Sequence, residues 1–219
     1  MALTAKGQRT EEAFLEGARQ VFAEKGFFNA KIADISAAAG RSSGSFYNYY
    51  DNKEQLLEEL LSRFNDEVIH GVRTSQAGDS SPQARVRAAV ESYVATYRKY
   101  LPEMVGLFHM SMRDEAFAER WRAHRGAGIV EVLRELRRTE RALHPVGLEH
   151  GPLASAIVSL LESFCWTWMA AGGDEGVDPP DDKMLVDTLT AIWCRTVICH
   201  SQPCTCEMGQ GTDGSDASS

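Results

Sequence analysis

The sequence contains no apolar run near the roughly 20 residues that a membrane-spanning helix requires, and its opening, Met1 to Arg9, lacks the hydrophobic stretch of a secretory leader. Both absences point to a cytoplasmic protein without membrane partners. Five cysteines, an odd number without framework spacing, exclude a disulfide scaffold and fit free thiols in a reducing compartment. Also missing are a His-Glu-x-x-His metal motif, a nucleophile elbow and a phosphate-cradling glycine loop. The histidines, His70, His109, His124, His144, His150 and His200, show no ligand or triad spacing. Neither an enzyme, a catalytic residue nor a cofactor is expected. Cys199, His200, Cys204 and Cys206 cluster near the end, but no second ligand pair follows, so the reading is incidental thiols and no metal. An excess of basic charge is lacking too: the net charge is −8 over 219 residues. That argues against a chain coating nucleic acid along its whole length, not against one docking face. No alternating strand pattern and no internal repeat appears, so the fold class is all-α.

What is present is helical periodicity nearly throughout. Phe14, Ala18, Val21 and Phe22 recur at helical spacing, with Thr10 as the expected cap and Lys25-Gly26 as the stop. Short helices follow around Ile32–Ala39 and from Ser43 to about Tyr50, joined by a turn at Gly40-Arg41. Asp51, with Glu54 three residues on, reads as a capping box for a longer helix striped by Leu56, Leu57, Leu60, Leu61, Phe64 and Val68. Thr74 to Ser81 is a loop, and Pro82 opens the next helix. Pro102 interrupts the pattern, and short turns follow to Met112. Long helices are then expected over Glu115–Leu143, Pro152–Ala171 and Asp181–Cys199. The organisation is thus a disordered arm over 1–8, a three-helix helix-turn-helix domain over 9–71, a larger helical domain over 72–200, and a disordered tail over 201–219.

The segment from Ile32 to Tyr50 carries the chemistry. Two helices meeting steeply need small residues at the crossing, which Ala37, Ala38 and Ala39 supply, and a left-handed turn, which Gly40 adopts without steric cost. Ser42 can cap the second helix, while Ile32, Ile35 and Phe46 point inward. Ser43, Gly44 and Ser45 leave the opening turn almost without bulk, so its backbone can press against DNA, and its N-terminus favours phosphate. Tyr47, Asn48 and Tyr49 then offer hydroxyl and amide groups to bases and backbone in the major groove. Tyr49 and Tyr50 read equally well as core aromatics. Lys31 and Lys53 flank the motif as phosphate clamps.

Ala18, Phe22, Gly26-Phe27, Ile32-Ala33-Asp34-Ile35, Ala39-Gly40, Gly44 to Tyr50 and Lys53 to Leu57 together resemble the DNA-binding domain of the TetR family of bacterial regulators. The resemblance covers about Arg9 to Leu61, and beyond it only length and helical layout agree. It implies a homodimer that binds a palindromic DNA operator, usually represses, and releases DNA when a small-molecule effector occupies the second domain. Two departures matter. Ala30 stands where the family usually has a threonine, removing one phosphate-contacting hydroxyl. Arg41 replaces a small apolar residue, and either adds a phosphate contact or loses a packing group.

The second domain holds more large apolar groups than a bundle core needs. Phe108, Met112, Trp121, Phe164 and Trp168 are candidate ligand contacts, suited to an apolar or aromatic-bearing effector, with plain core packing as the alternative for each. Arg125 would either orient an anionic group or form a surface pair. By the resemblance, the last two long helices pair with their twins, and Leu153, Ile157, Leu161, Leu185, Leu189, Ile192 and Trp193 form the expected dimer stripes. Two rivals stand against a ligand-responsive regulator: an architectural DNA-binding protein without an effector, and an all-helical enzyme.

Overall fold

The computed structural model describes residues 4–75, 81–142 and 148–197. Among these, the helical periodicity becomes α1 (Ala5–Asn29), α2 (Ile32–Ala38), α3 (Ser43–Phe46), α4 (Lys53–Ser75), α5 (Pro82–Lys99), α6 (Leu101–Ser111), α7 (Glu115–Ala142), α8 (His150–Met169) and α9 (Asp182–Val197). No strand occurs among the described residues, and none of their helices is long and apolar enough to cross a membrane. They hold no group of three metal-ligating side chains. Cys199, His200, Cys204, Cys206 and the expected tail lie outside the described residues, as does His144.

Helix ends follow local hydrogen-bonding chemistry, and the starts of α1 and α4 are capped by other residues than expected. α1 begins earlier, because the Thr4 hydroxyl accepts from Gly7 N–H at 3.2 Å and so caps it. Thr10 instead donates back to the Lys6 carbonyl at 3.1 Å, so residues 5–8 of the expected arm are helical. At α4 the capping box is shifted by one residue. The Asn52 side chain accepts from Gln55 N–H at 2.8 Å, and the Gln55 side chain accepts from Asp51 N–H at 2.7 Å. Ser42 caps α3 as expected, accepting from Ser45 N–H, and Ser81 caps α5, accepting from Ala84 N–H.

α1 to α4 enclose a small core of Phe14, Phe22, Ile35, Phe46, Leu56, Leu57 and Leu60, all essentially inaccessible to solvent. Burying each such side chain contributes about 1.5–3 kcal/mol before conformational entropy is subtracted. α5, α7, α8 and α9 build a second core on Val90, Val94, Leu136, Ile157, Leu185 and Leu189. The boundary expected after residue 71 falls inside α4, which is a single helix through Ser75. Its first half closes the small core through Leu56 to Leu61, and its second half, through Phe64, Val68, Ile69 and Val72, walls a cavity in the large domain.

The two cores are fastened on a second line, between α1 and α6. Gly106 lies so close to Phe27 that an added Cβ would sit 2.9 Å from the Phe27 Cβ, and Phe27 also meets Phe117 edge-on at 6.1 Å. Arg19 donates to the Lys99 carbonyl at 2.7 Å and approaches buried Glu103 at 3.4 Å.

Candidate nucleic-acid interface and an internal cavity

The turn between α2 and α3 is a Schellman arrangement. Gly40, at φ 63°, donates to the Ala37 carbonyl at 3.0 Å, and Arg41 N–H donates to the Ser36 carbonyl at 2.9 Å. Of the alanines expected at the crossing, Ala39 packs against the core, and a second close approach lies between α1 and α2. Ala37 and Ala38 are exposed, whereas Gly17 of α1 packs directly on the α2 backbone. A Cβ there would meet Ala39 N and Ile35 O, both at 2.9 Å. Because backbone atoms cannot rotate away, Gly17→Ala is expected to lower unfolding free energy by about 2 kcal/mol, read by urea denaturation. A loss below a few tenths would show that α2 slides freely on α1.

α3 is shorter than the sequence suggests. After Phe46 the chain tightens, with Asn48 N–H donating to Ser45 O at 3.3 Å and Tyr49 N–H to Phe46 O at 2.9 Å. This tightening turns Tyr50 inward, where it is buried 5.6 Å from the Phe46 ring. Tyr49 is half-buried against Phe14 at 5.8 Å. Tyr47, 59% exposed and braced edge-on by Phe46, projects outward with exposed Gly44 and Asn48 and half-buried Ser43 and Ser45. Lys31, the residue preceding α2, and Arg41 are exposed on the same motif.

Lys53 does not face outward as a clamp. Its ammonium donates to the carbonyls of Phe27 at 2.8 Å, Phe28 at 3.0 Å and Ala30 at 3.0 Å, and lies 4.7 Å over the Phe27 ring. All three of its protons are committed to the carbonyls that end α1. Burial holds its pKa below the ordinary lysine value. Ala30 is buried there, so the position that departs from the family's threonine supplies a carbonyl to this lysine.

In the large domain, α4, α5, α7, α8 and α9 surround an apolar cavity of about 70 Å³. Phe64, Val68, Val132, Val158 and Leu161 form much of its wall. A second chamber of about 270 Å³ is lined by Tyr97, Phe108, Trp121, Ser159, Ser163 and Trp166, and Arg125 and Glu162 line both spaces. Of the expected ligand contacts, Phe108, Trp121 and Arg125 therefore reach a cavity. Met112 is 63% exposed, and Phe164 and Trp168 line neither chamber but meet each other edge-on at 6.4 Å. Arg125 pairs with Glu162 and donates to the Ser159 hydroxyl at 2.9 Å, so it is already engaged rather than awaiting an anion.

The expected dimer stripes prove to face the protomer's own core. Leu153, Ile157, Leu161, Leu185, Leu189 and Trp193 are all buried within the single chain, and only Ile192, 43% exposed, remains accessible. Both faces of these helices carry apolar residues, so periodicity alone did not say which turns inward. Trp193, which the sequence offers as a pocket-lining aromatic as well as a dimer contact, lines the inner cavity with two residues that drew no attention in the sequence as ligand contacts, Tyr93 and His124. They come from three helices distant in the chain, and no local spacing connects them.

These features define a short helix-turn-helix fastened to a helical domain that encloses a cavity. Comparison with known proteins agrees. The family model for bacterial regulatory proteins of the tetR family matches residues 14–60. The transcriptional repressor KstR2 of Rhodococcus jostii is 31% identical over 136 residues, 56% of this chain and 66% of that protein. Other curated relatives, such as the regulator TtgR of Pseudomonas putida, are matched over about a third of their length, 35% in that case. In fold, a TetR-like transcriptional regulator from Rhodococcus sp. RHA1 superposes with a TM-score of 0.65 at 21% identity, covering 89% of this chain and 97% of that one. The fatty acid degradation regulator FadR from Bacillus halodurans gives 0.69 at 16% identity, covering 90% and 97%. The chain belongs to the TetR family.

Proposed function

We propose that the protein is a transcriptional regulator, acting as a repressor, that docks α2 and α3 on a palindromic DNA operator as a homodimer and lets go when a small molecule enters the cavity of its large domain. The observation that carries this reading is the double duty of α4, which closes the helix-turn-helix core with Leu56 to Leu61 and walls the cavity with Phe64 to Val72. A molecule in that cavity touches the helix on which the DNA-facing motif rests. It need only favour one α4 placement over another to bias the spacing of two docking units. Tyr47, Asn48, Gly44 and Arg41 are the exposed candidates for groove and phosphate contact, with Lys31 alongside. Tyr49 contributes at most its edge.

For the second copy, the outward faces of α8 and α9 are the natural surface. Met184 and Ile192, 54% and 43% exposed, lie about two turns apart on α9. Leu160 and Phe164 are half-buried one turn apart on α8.

Selection of duplexes from a random pool with the purified chain tests the reading. A consensus with two-fold symmetry is the expected result, and Tyr47→Ala should weaken binding to it by about 1–3 kcal/mol. A pool that never enriches would end the proposal.

A further inference from the structure

Three side chains that line the inner cavity each carry a buried polar atom with no hydrogen-bond partner among the described residues: the Tyr93 hydroxyl, His124 Nδ1 and Trp193 Nε1. His124 and Trp193 are 8% and 4% exposed. An unsatisfied polar group in such a place costs about 1–3 kcal/mol, so a native core rarely gathers several around one space without something there to satisfy them. These three come from α5, α7 and α9 and meet around the cavity, where Phe64 packs against both Tyr93 and His124.

The charges of the wall limit what that something is. Arg125 is the cation of the wall, and Glu162 neutralises it. The wall carboxylates are matched as well: Glu135 by Arg85 at 2.8 Å, and Glu131 by Arg73 at 3.4 Å and by Arg134. An anionic or cationic ligand would enter with no opposite charge left to receive it, and its desolvation would go uncompensated. Burial, reinforced by the neighbouring Arg125 charge, pushes the His124 imidazole down to about 4, so it is neutral at physiological pH. Burial likewise holds the Tyr93 phenol protonated.

We infer that the inner cavity takes an uncharged ligand, apolar in body and carrying one oxygen function, a hydroxyl or a ketone, that bonds to Tyr93, His124 and Trp193. This refinement rests on the sensor reading above. The indole N–H donates only, the phenol donates or accepts, and a neutral imidazole nitrogen does one or the other according to its tautomer. By donor and acceptor type, a hydroxyl or carbonyl oxygen can therefore pair with any of them. At about 70 Å³ the inner space is smaller than a benzene-sized cavity of roughly 150 Å³. Only one end of a larger ligand fits there, and the aromatic outer chamber beyond the Arg125–Glu162 pair is suited to the rest.

Small probes separate the possibilities on the unaltered full-length chain. Phenol, toluene, benzoate and benzylammonium share one ring, which the outer chamber takes, and differ in the polar group and charge that they present to the inner space. Their binding is followed by the indole N–H resonance of Trp193, assigned with Trp193→Phe. The expected result is phenol at least tenfold tighter than the other three. Tyr93→Phe should shrink its advantage over toluene, and if that variant does not fold, the four-probe comparison decides alone. Benzoate or benzylammonium matching phenol, or no probe shifting Trp193, overturns the inference. In parallel, affinity for a selected duplex is measured at saturating phenol. Binding at Trp193 with unchanged DNA affinity would remove the sensor reading and leave the ligand class standing.

Discussion

Replacing Arg85 by methionine is expected to lower the unfolding free energy by about 3–5 kcal/mol, the largest effect of any single change considered. Arg85 and Glu135 join α5 to α7 with side chains only 6% and 9% exposed. Two guanidinium nitrogens reach the same carboxylate oxygen, Nη2 at 2.8 Å and Nε at 2.9 Å, and the Thr139 hydroxyl donates to it at 3.2 Å. Removing the cation leaves a buried carboxylate with one neutral donor, which is the costly half of the comparison. Removing both charges is the instructive half. The double change Arg85→Met with Glu135→Leu should recover most of the loss, because the pair's attraction roughly offsets its own desolvation. Urea denaturation of both variants checks this. A single-variant loss under 1 kcal/mol would mean that water reaches the pair and that the core is looser than drawn.

The second large effect is expected at Glu103, where stability should depend on pH. The carboxyl is fully buried, and Arg19 reaches it only at 3.4 Å while also donating to the Lys99 carbonyl. Burial pushes its pKa from the ordinary 4.5 up to about 7, with Arg19 and Lys99 opposing the rise and Glu16 adding to it. A raised carboxyl pKa means that the folded state holds the proton over a range where the unfolded chain has released it. Stability from this group is therefore greatest below about pH 4.5 and declines until the pH passes about 7. The decline amounts to about 3 kcal/mol, at roughly 1.4 kcal/mol for each pH unit between the two values. Glu103→Gln copies the protonated form. It should match the parent at pH 5 and exceed it by about that amount at pH 8. Equal stability at both pH values would show that Arg19 fully compensates the charge. His124 acts in the opposite sense, since its lowered pKa adds stability between about 4 and its ordinary 6.5. Comparing Glu103→Gln with the parent cancels that contribution.

How far the sequence discloses this molecule depends on the length scale of each signal. Caps, the Gly40 turn and the inward set Ile35, Phe46 and Leu56 are local, and each rests on spacing within one or two turns of helix. The helix-turn-helix fold was legible for the same reason. Lys53 was misjudged because its partners are carbonyls more than twenty residues away, and nothing about a lysine reveals whether its ammonium reaches solvent or a helix end. Gly17 was overlooked because a glycine inside a helix announces only a propensity cost, not the backbone it touches. The inward faces of α8 and α9 were read as outward because apolar residues stand on both sides, and a hydrophobic stripe gives a direction only relative to something polar opposite it. The cavity's polar trio is the furthest from view, being assembled from α5, α7 and α9.

The inward commitment of Lys53 bears on how docking would respond to ionic strength. Each cation set against a phosphate releases about one counterion, and the logarithm of affinity falls against the logarithm of salt by about 0.9 for every such contact. With one of the two flanking lysines tied to carbonyls, each half of a docked pair would shed fewer ions than the sequence implies. Binding would then owe more to groove shape and less to the salt-sensitive share of its energy, and would decay gently as the medium is made more concentrated.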